Sequence, residues 1–296
     1  MRSEDLKGVI AAIATPFDDK GRVDIEALKK LTQYVVDGGV HGIMTTGGTG
    51  EFPHLLREEK KLITQTVVEA VQGRIPIIAG TAACSTMEAL LLCQDAKEVG
   101  AAAVILTPPY YFMLPDESLF AHFKEIAQNA GLPVVVYNNP LYTGNNLSPE
   151  VLSQISKVDG IIGMKQSNAD LGQLVEVIRI AREGFAVLTG IDSQFYPALC
   201  VGGVGIFSTA ASVVPKMMVE IYDAFQKGNH GEAVVQHMKL QILNRFLEYD
   251  PGYVAPCKEA LRMMGLPGGP VRSPLPSLTP AQKEDLKAAL KELGLI

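Results

Sequence analysis

Short, unbroken apolar runs alternate with longer amphipathic stretches along most of the chain. The runs 9–14, 41–46, 75–79, 102–106, 133–137, 161–165, 186–189 and 204–207 read as strands. Between and after them, 24–37, 57–71, 86–99, 115–130, 149–155, 170–182, 193–200 and 215–226 carry apolar residues at helical spacing. In the first of these Ile25, Leu28, Leu31 and Val35 share one face, and Asp24 stands where an N-cap is needed. Continuous apolar strands imply burial on both faces, as in a parallel sheet covered by helices. Eight strand–helix units predict an α/β fold in which the sheet closes into a (β/α)8 TIM barrel. An open doubly wound sheet is the main alternative, but no G-x-G-x-x-G follows the first strand. Past Gly228 the alternation stops, and 231–249, 256–264 and 280–293 read as three more helices. The chain therefore divides into a barrel over 1–228 that carries the active site and a C-terminal helical extension over 229–296.

Composition narrows the function. With 47% hydrophobic and 20% charged residues, the 296-residue chain can bury a large core. Its net charge of −6 and the lack of a dense Lys/Arg stripe argue against nucleic acid or an acidic membrane as a partner. Cys84, Cys93, Cys200 and Cys257 form no C-x-x-C pair and read as free thiols of a reducing compartment. The first residues hold no apolar signal core, so the expected location is the cytoplasm. His41, His54, His122, His230 and His237 are scattered, and no metal motif or other cofactor signature is present.

In a barrel, the C-terminal ends of the strands face the active-site mouth. Lys165 ends the sixth run and Tyr137 the fifth. A Gly47-Gly48-Thr49-Gly50-Glu51 turn follows the second, Tyr110 and Tyr111 the fourth, and Gly190 and Asp192 the seventh. A lysine closing an apolar strand is unusual. Burial disfavours the charged form of an amine, and a neutral amine can attack a ketone carbon to form an imine that then serves as an electron sink. The bland alternative is a lysine that snorkels outward or pairs with a carboxylate. Tyr137, on the adjacent strand, offers a phenol for proton transfer, or else a core plug with a satisfied hydroxyl. The glycine turn lets backbone N–H groups approach an anion, for which a carboxylate is the natural candidate, with Thr49 adding a hydroxyl donor.

Taken together, Ala14-Thr15-Pro16-Phe17, the glycine turn, Pro109-Tyr110-Tyr111, Tyr137-Asn138-Asn139-Pro140 and Gly163-Met164-Lys165 resemble, in order and beside strand ends, the dihydrodipicolinate synthase/N-acetylneuraminate lyase family of Schiff-base-forming pyruvate aldolases. The resemblance implies Lys165 as the imine-forming lysine and Tyr137 as the acid/base phenol. It implies carboxylate binding by Gly48, Thr49 and the backbone around them. Tyr111 matches a tyrosine that in some members reaches a neighbouring subunit's site. Asn139 lies in the Tyr-Asn-x-Pro stretch, and Gly190 and Phe207 match positions lining the pocket near the lysine, Phe207 mainly through its backbone. A homotetramer built from dimers is also implied.

Three departures point away from the synthase itself. Gly48 stands where the synthase has a hydroxyl that serves a proton relay with two tyrosines, and the Gly-Gly-Thr-Gly-Glu form looks more like dehydratases of keto-deoxy sugar diacids in the family. Tyr142 stands where the synthase has an arginine that grips a second carboxylate, and a phenol makes no charged fork. Gln166 replaces a carboxylate after the lysine. The expected function is thus a Schiff-base aldolase or dehydratase acting on a 2-keto-3-deoxy sugar acid or related 4-hydroxy-2-oxo acid with a neutral distal end, pyruvate being product or donor in the aldolase case. The synthase (pyruvate plus aspartate semialdehyde) and N-acetylneuraminate lyase are the alternatives within the class. A catalytically silent keto-acid-binding protein is the alternative outside it.

Overall fold

A computed structural model describes residues 1–248 and 252–296. Eight parallel strands close into a barrel in sequence order: β1 Gly8–Ala12, β2 Gly42–Thr45, β3 Ile77–Gly80, β4 Ala103–Leu106, β5 Val134–Asn138, β6 Ile161–Gln166, β7 Ala186–Thr189 and β8 Gly205–Ser208. Every residue of every strand is buried, as the unbroken apolar runs require. Along β1, Ile10 and Ala12 join the interior cluster with Met44, Ile105, Val135, Leu188 and Phe207. Val9 and Ala11 face the helix layer, packing with Leu28, Leu31 and Val35.

The surrounding helices are α1 Ile25–Asp37, α2 Arg57–Val71, α3 Thr86–Glu98, α4 Asp116–Asn129, α5 Pro140–Thr143, α6 Pro149–Ser156, α7 Leu171–Ile180, α8 Phe195–Cys200, α9 Ala210–Val213 and α10 Pro215–Gln226. Asp24 caps α1 as expected, its side chain accepting from the Ala27 amide at 3.0 Å. Two short helices, α5 and α9, escape the periodicity because four residues make little more than one turn, too few to show a repeat. The stretch expected as one helix over 193–200 instead starts as a 3-10 turn, Asp192–Gln194, before α8.

Beyond the barrel come α11 His230–Leu247, α12 Val254–Met263 and α13 Pro280–Glu292. The expected end of the first at Tyr249 lies outside the described residues. Leu240, Leu243, Leu261, Leu286 and Leu290 merge with the cluster around α1 and α10, so these helices pack onto one side of the barrel wall. Among the described residues no helix is long and apolar enough to cross a membrane.

One irregularity bears on the chemistry. Between β5 and β6, Val134 pairs with Ile161 but Val135 pairs with Gly163, so Ile162 is an extra residue on β6. Such a bulge resets the alternation of side chains downstream. Tyr137 then pairs with Lys165, and Lys165 with Leu188. Tyr137 and Leu188 both belong to the interior cluster, so Lys165 shares their face and points into the barrel.

Candidate active site

Lys165 is 5% exposed at the C-terminal end of β6. Its Nζ lies 4.2 Å from the centroid of the Tyr137 ring and 5.9 Å from that of Phe207. Aromatic faces are favourable neighbours for an amine in either form. Gly190, just past β7, makes room for it: a Cβ there would collide with Cε of Lys165 and with the Ser167 hydroxyl. Only glycine lets the lysine lie along that wall. The Tyr137 hydroxyl accepts a hydrogen bond from Nδ2 of Asn139 at 2.9 Å, which fixes the phenol at the mouth.

Tyr137 also lines a cavity of about 550 Å³ at this end of the barrel. Gly48, Asn139, Tyr142, Phe52, Tyr110 and Thr107 contribute from strand ends and the loops after them; Tyr253, Val254, Leu275 and Pro276 come from the C-terminal segment. Among the described residues no arginine or lysine belongs to that wall; Glu51 does, with its charge already paired. Among the described residues no group of three or more His, Cys, Asp or Glu side chains is placed to hold a metal ion.

The glycine turn is held rigidly. Glu51 N–H donates to the Gly48 carbonyl at 2.9 Å and Phe52 N–H to that of Gly47 at 3.2 Å. Thr46 and Glu51, which bracket the turn, adopt left-handed backbone with φ of 49° and 61°, a strained state for non-glycine residues. The Glu51 carboxylate is buried and anchored by Lys258 Nζ and by the Arg272 amide at 2.8 Å. Thr49 is buried within the turn, its hydroxyl 2.9 Å from that of Thr209 after β8.

The structure therefore gathers Lys165, Tyr137, Gly190 and Phe207 around one amine, and Gly48, Asn139 and Tyr142 around the adjoining cavity. Thr49, next to Gly48 in the chain, is buried. Tyr142 is at the rim, 62% exposed. Tyr111 stands apart. It is 86% exposed with a φ of 86°, in an exposed run with Phe112 and Met113, its ring 4.9 Å from that of Phe112.

Two features were not visible in the sequence. Tyr253 enters the cavity from the segment before α12, where no periodicity marks it. Asp192, noted only for its place after β7, is fully buried; Oδ1 accepts from the Ser208 hydroxyl and Oδ2 from the Ala210 amide at 3.2 Å. Burial, then the nearby Glu248 carboxylate, push its pKa from 3.8 up to about 7, with Lys165 among the groups that oppose the rise. Between those two values the folded chain keeps a proton that the unfolded chain has lost. This contribution to stability is complete below about pH 4 and is lost as pH rises towards 7, a difference on the order of a few kcal/mol. Asp192→Asn should remove that decline. The check is urea unfolding of both proteins at pH 4.5 and 7.5; equal pH dependence would mean that the carboxyl titrates normally.

With the geometry in place, similarity to known proteins adds the lineage. A sequence profile of the dihydrodipicolinate synthetase family matches residues 5–293. A 4-hydroxy-tetrahydrodipicolinate synthase of Syntrophus aciditrophicus (strain SB) is 38% identical over 293 residues, 98% of this chain and 99% of the relative. A structure described as the first monomeric dihydrodipicolinate synthase variant superposes with a TM-score of 0.96 at 34% identity, covering 99% of both chains. A prophage protein of the dihydrodipicolinic acid synthase family from E. coli K12, solved in complex with pyruvate, superposes with a TM-score of 0.94 at 29% identity, covering 98% of this chain and 99% of that one. Matched in sequence and in backbone over nearly its whole length, the chain belongs to the dihydrodipicolinate synthetase family and is a lyase of the class I aldolase type.

Proposed function

We propose that Lys165 forms an imine with C2 of a 2-oxo acid and that Tyr137 moves the protons. The observation that carries this reading is the buried lysine aimed by the β6 bulge against the Tyr137 phenol, with Gly190 leaving it space. In the aldolase form, Tyr137 takes the C4 hydroxyl proton, the C3–C4 bond breaks into the iminium, and pyruvate is released by hydrolysis. In the dehydratase form a C3 proton leaves and a hydroxyl further along the chain is lost. The turn at Gly48 and Thr49 holds the 1-carboxylate. The pyruvate complex of the E. coli prophage protein supports a keto acid in this place.

For the distal end of the substrate we favour a neutral group, as in a 2-keto-3-deoxy sugar acid or related 4-hydroxy-2-oxo acid. A second carboxylate desolvated in a cavity with no arginine or lysine among its described lining residues would lack a charged partner there. The second reading is 4-hydroxy-tetrahydrodipicolinate synthase, and the names of the 38% identical relatives favour it over the first. A substrate screen separates the two. Pyruvate would be offered with aspartate semialdehyde and with neutral aldehydes, beside dehydration assays on keto-deoxy sugar acids. Preferred turnover of aspartate semialdehyde would defeat the neutral-end reading.

Tyr142→Arg should shift preference towards substrates with a second carboxylate by about tenfold or more, since charge-assisted pairing contributes about 1.5–3 kcal/mol. The ratio of kcat/KM for acidic and neutral partners measures it, and an unchanged ratio would place Tyr142 away from the distal group.

A homotetramer built from dimers, with Tyr111 completing a neighbour's site, belongs to the same proposal. The exposed run Tyr111, Phe112 and Met113, with Leu141 at 82% exposure, supports a covered face there. The monomeric relative makes sedimentation the necessary check. A cytoplasmic location is supported by four cysteines that are all unpaired.

A further inference from the structure

Gly48 leaves a gap in the cavity wall, and another part of the chain fills it. A Cβ at Gly48 would collide with the phenolic oxygen of Tyr253 and stand 3.3 Å from its Cζ. The glycine is therefore what allows this phenol to reach the turn. The Tyr253 ring meets that of Tyr142 edge-on, centroids 6.2 Å apart at 64°, and Tyr137, Tyr142 and Tyr253 line one cavity. The turn that holds the keto-acid carboxylate thus carries a phenol from the C-terminal segment directly against its backbone.

We infer that Tyr253 is a catalytic residue, a phenol that meets the substrate at the glycine turn and passes protons to Tyr137. This rests on the imine reading above. When the carbinolamine on Lys165 collapses, Tyr137 gives its proton to the departing hydroxyl, which leaves as water while the nitrogen lone pair forms the iminium. Tyr253 then protonates the Tyr137 phenolate and regains a proton from solvent at the cavity mouth. Only O–H bonds change at Tyr253, no electrons are exchanged, and water is the only co-reactant. Burial first, then the neighbouring phenols of Tyr137 and Tyr142, hold the Tyr253 pKa well above its ordinary 10, so this group rests protonated.

The test needs no knowledge of the natural aldehyde. Full-length protein is incubated with pyruvate in D2O and the loss of methyl protons is followed by NMR. Borohydride adducts are read in parallel by intact mass. Tyr253→Phe should slow the exchange about 100-fold, the low end of general acid–base effects, with the half-saturating pyruvate concentration little changed and the adduct still formed at long incubation. Gly48→Ala should also slow exchange, because its methyl displaces the phenol. Combined with Tyr253→Phe it should add almost nothing. Gly48→Ser with Tyr253→Phe returns a hydroxyl to the gap and should recover part of the rate. Exchange by Tyr253→Phe at the wild-type rate, or Gly48→Ala and Tyr253→Phe effects that multiply independently, would overturn the assignment. If the wild-type protein gives no pyruvate adduct, the imine reading itself is lost. If every variant gives the adduct and Tyr253→Phe exchanges normally, only the role of Tyr253 is lost.

Discussion

Lys165→Ala should give no borohydride-stable mass increase with pyruvate and should lower kcat/KM by about 10⁴-fold or more, as loss of a covalent nucleophile does in enzymes whose catalytic groups act as a unit. The effect should be chemical rather than structural. The Lys165 amine faces aromatic rings, with no carboxylate in salt-bridge contact among the described residues, so its removal breaks no ion pair and takes from the buried Asp192 carboxyl only the smallest of its named influences. A thermal melt close to that of the wild type separates the two causes. An adduct that persisted in the variant would move the nucleophile elsewhere. Among the described residues Lys258 is the other deeply buried lysine, but its amine is bound to Glu51 and, at 2.7 Å, to the Pro270 carbonyl, so it is the less suited of the two to attack a ketone.

That second lysine carries the largest expected effect on stability. Lys258→Met should destabilise the fold by about 3–5 kcal/mol, because it leaves the Glu51 carboxylate buried without its cation. For a chain of this size the melting temperature should fall by roughly 10 °C. Around the pair, Arg272 forks onto Glu59 at 2.7 and 2.8 Å, and both cations lie 4.2 Å from the Phe17 ring. The network joins the C-terminal segment to the glycine turn, so the variant should lose pyruvate binding along with stability. Glu51→Gln with Lys258→Met removes both charges and should recover much of the loss. Differential scanning calorimetry of the three proteins measures it; a melting temperature for Lys258→Met equal to that of the wild type would show that the pair contributes nothing net.

The barrel was legible because its determinants are local and repeated. Burial on both faces writes itself as unbroken apolar runs such as Val134, Val135 and Val136, and strand boundaries differ from expectation by one or two residues only. The positions of Lys165, Tyr137 and Gly190 were legible for the same reason, each closing or following such a run. What could not be read were contacts between residues far apart in the chain. Nothing in the surroundings of Tyr253 announces that it meets Gly48, and nothing near Lys258 announces Glu51. The absent side chain at Gly48 was the one available hint, since an unfilled gap in a packed wall must be closed from somewhere. Tyr111 illustrates a different limit: a single chain leaves it exposed, whatever a neighbouring copy does with it.

The supernumerary Ile162 has an implication for how this scaffold can change. Side chains on a strand flip direction with every residue, so the phase set upstream governs everything after it. Were the same residues to pair without the bulge, Ile162 opposite Val135, the intact cylinder would set Met164 opposite Tyr137, towards the lumen, and turn Lys165 towards the outer helices. Architecture and reactivity are therefore separable here by a one-residue slip in pairing, set three residues before the amine it aims.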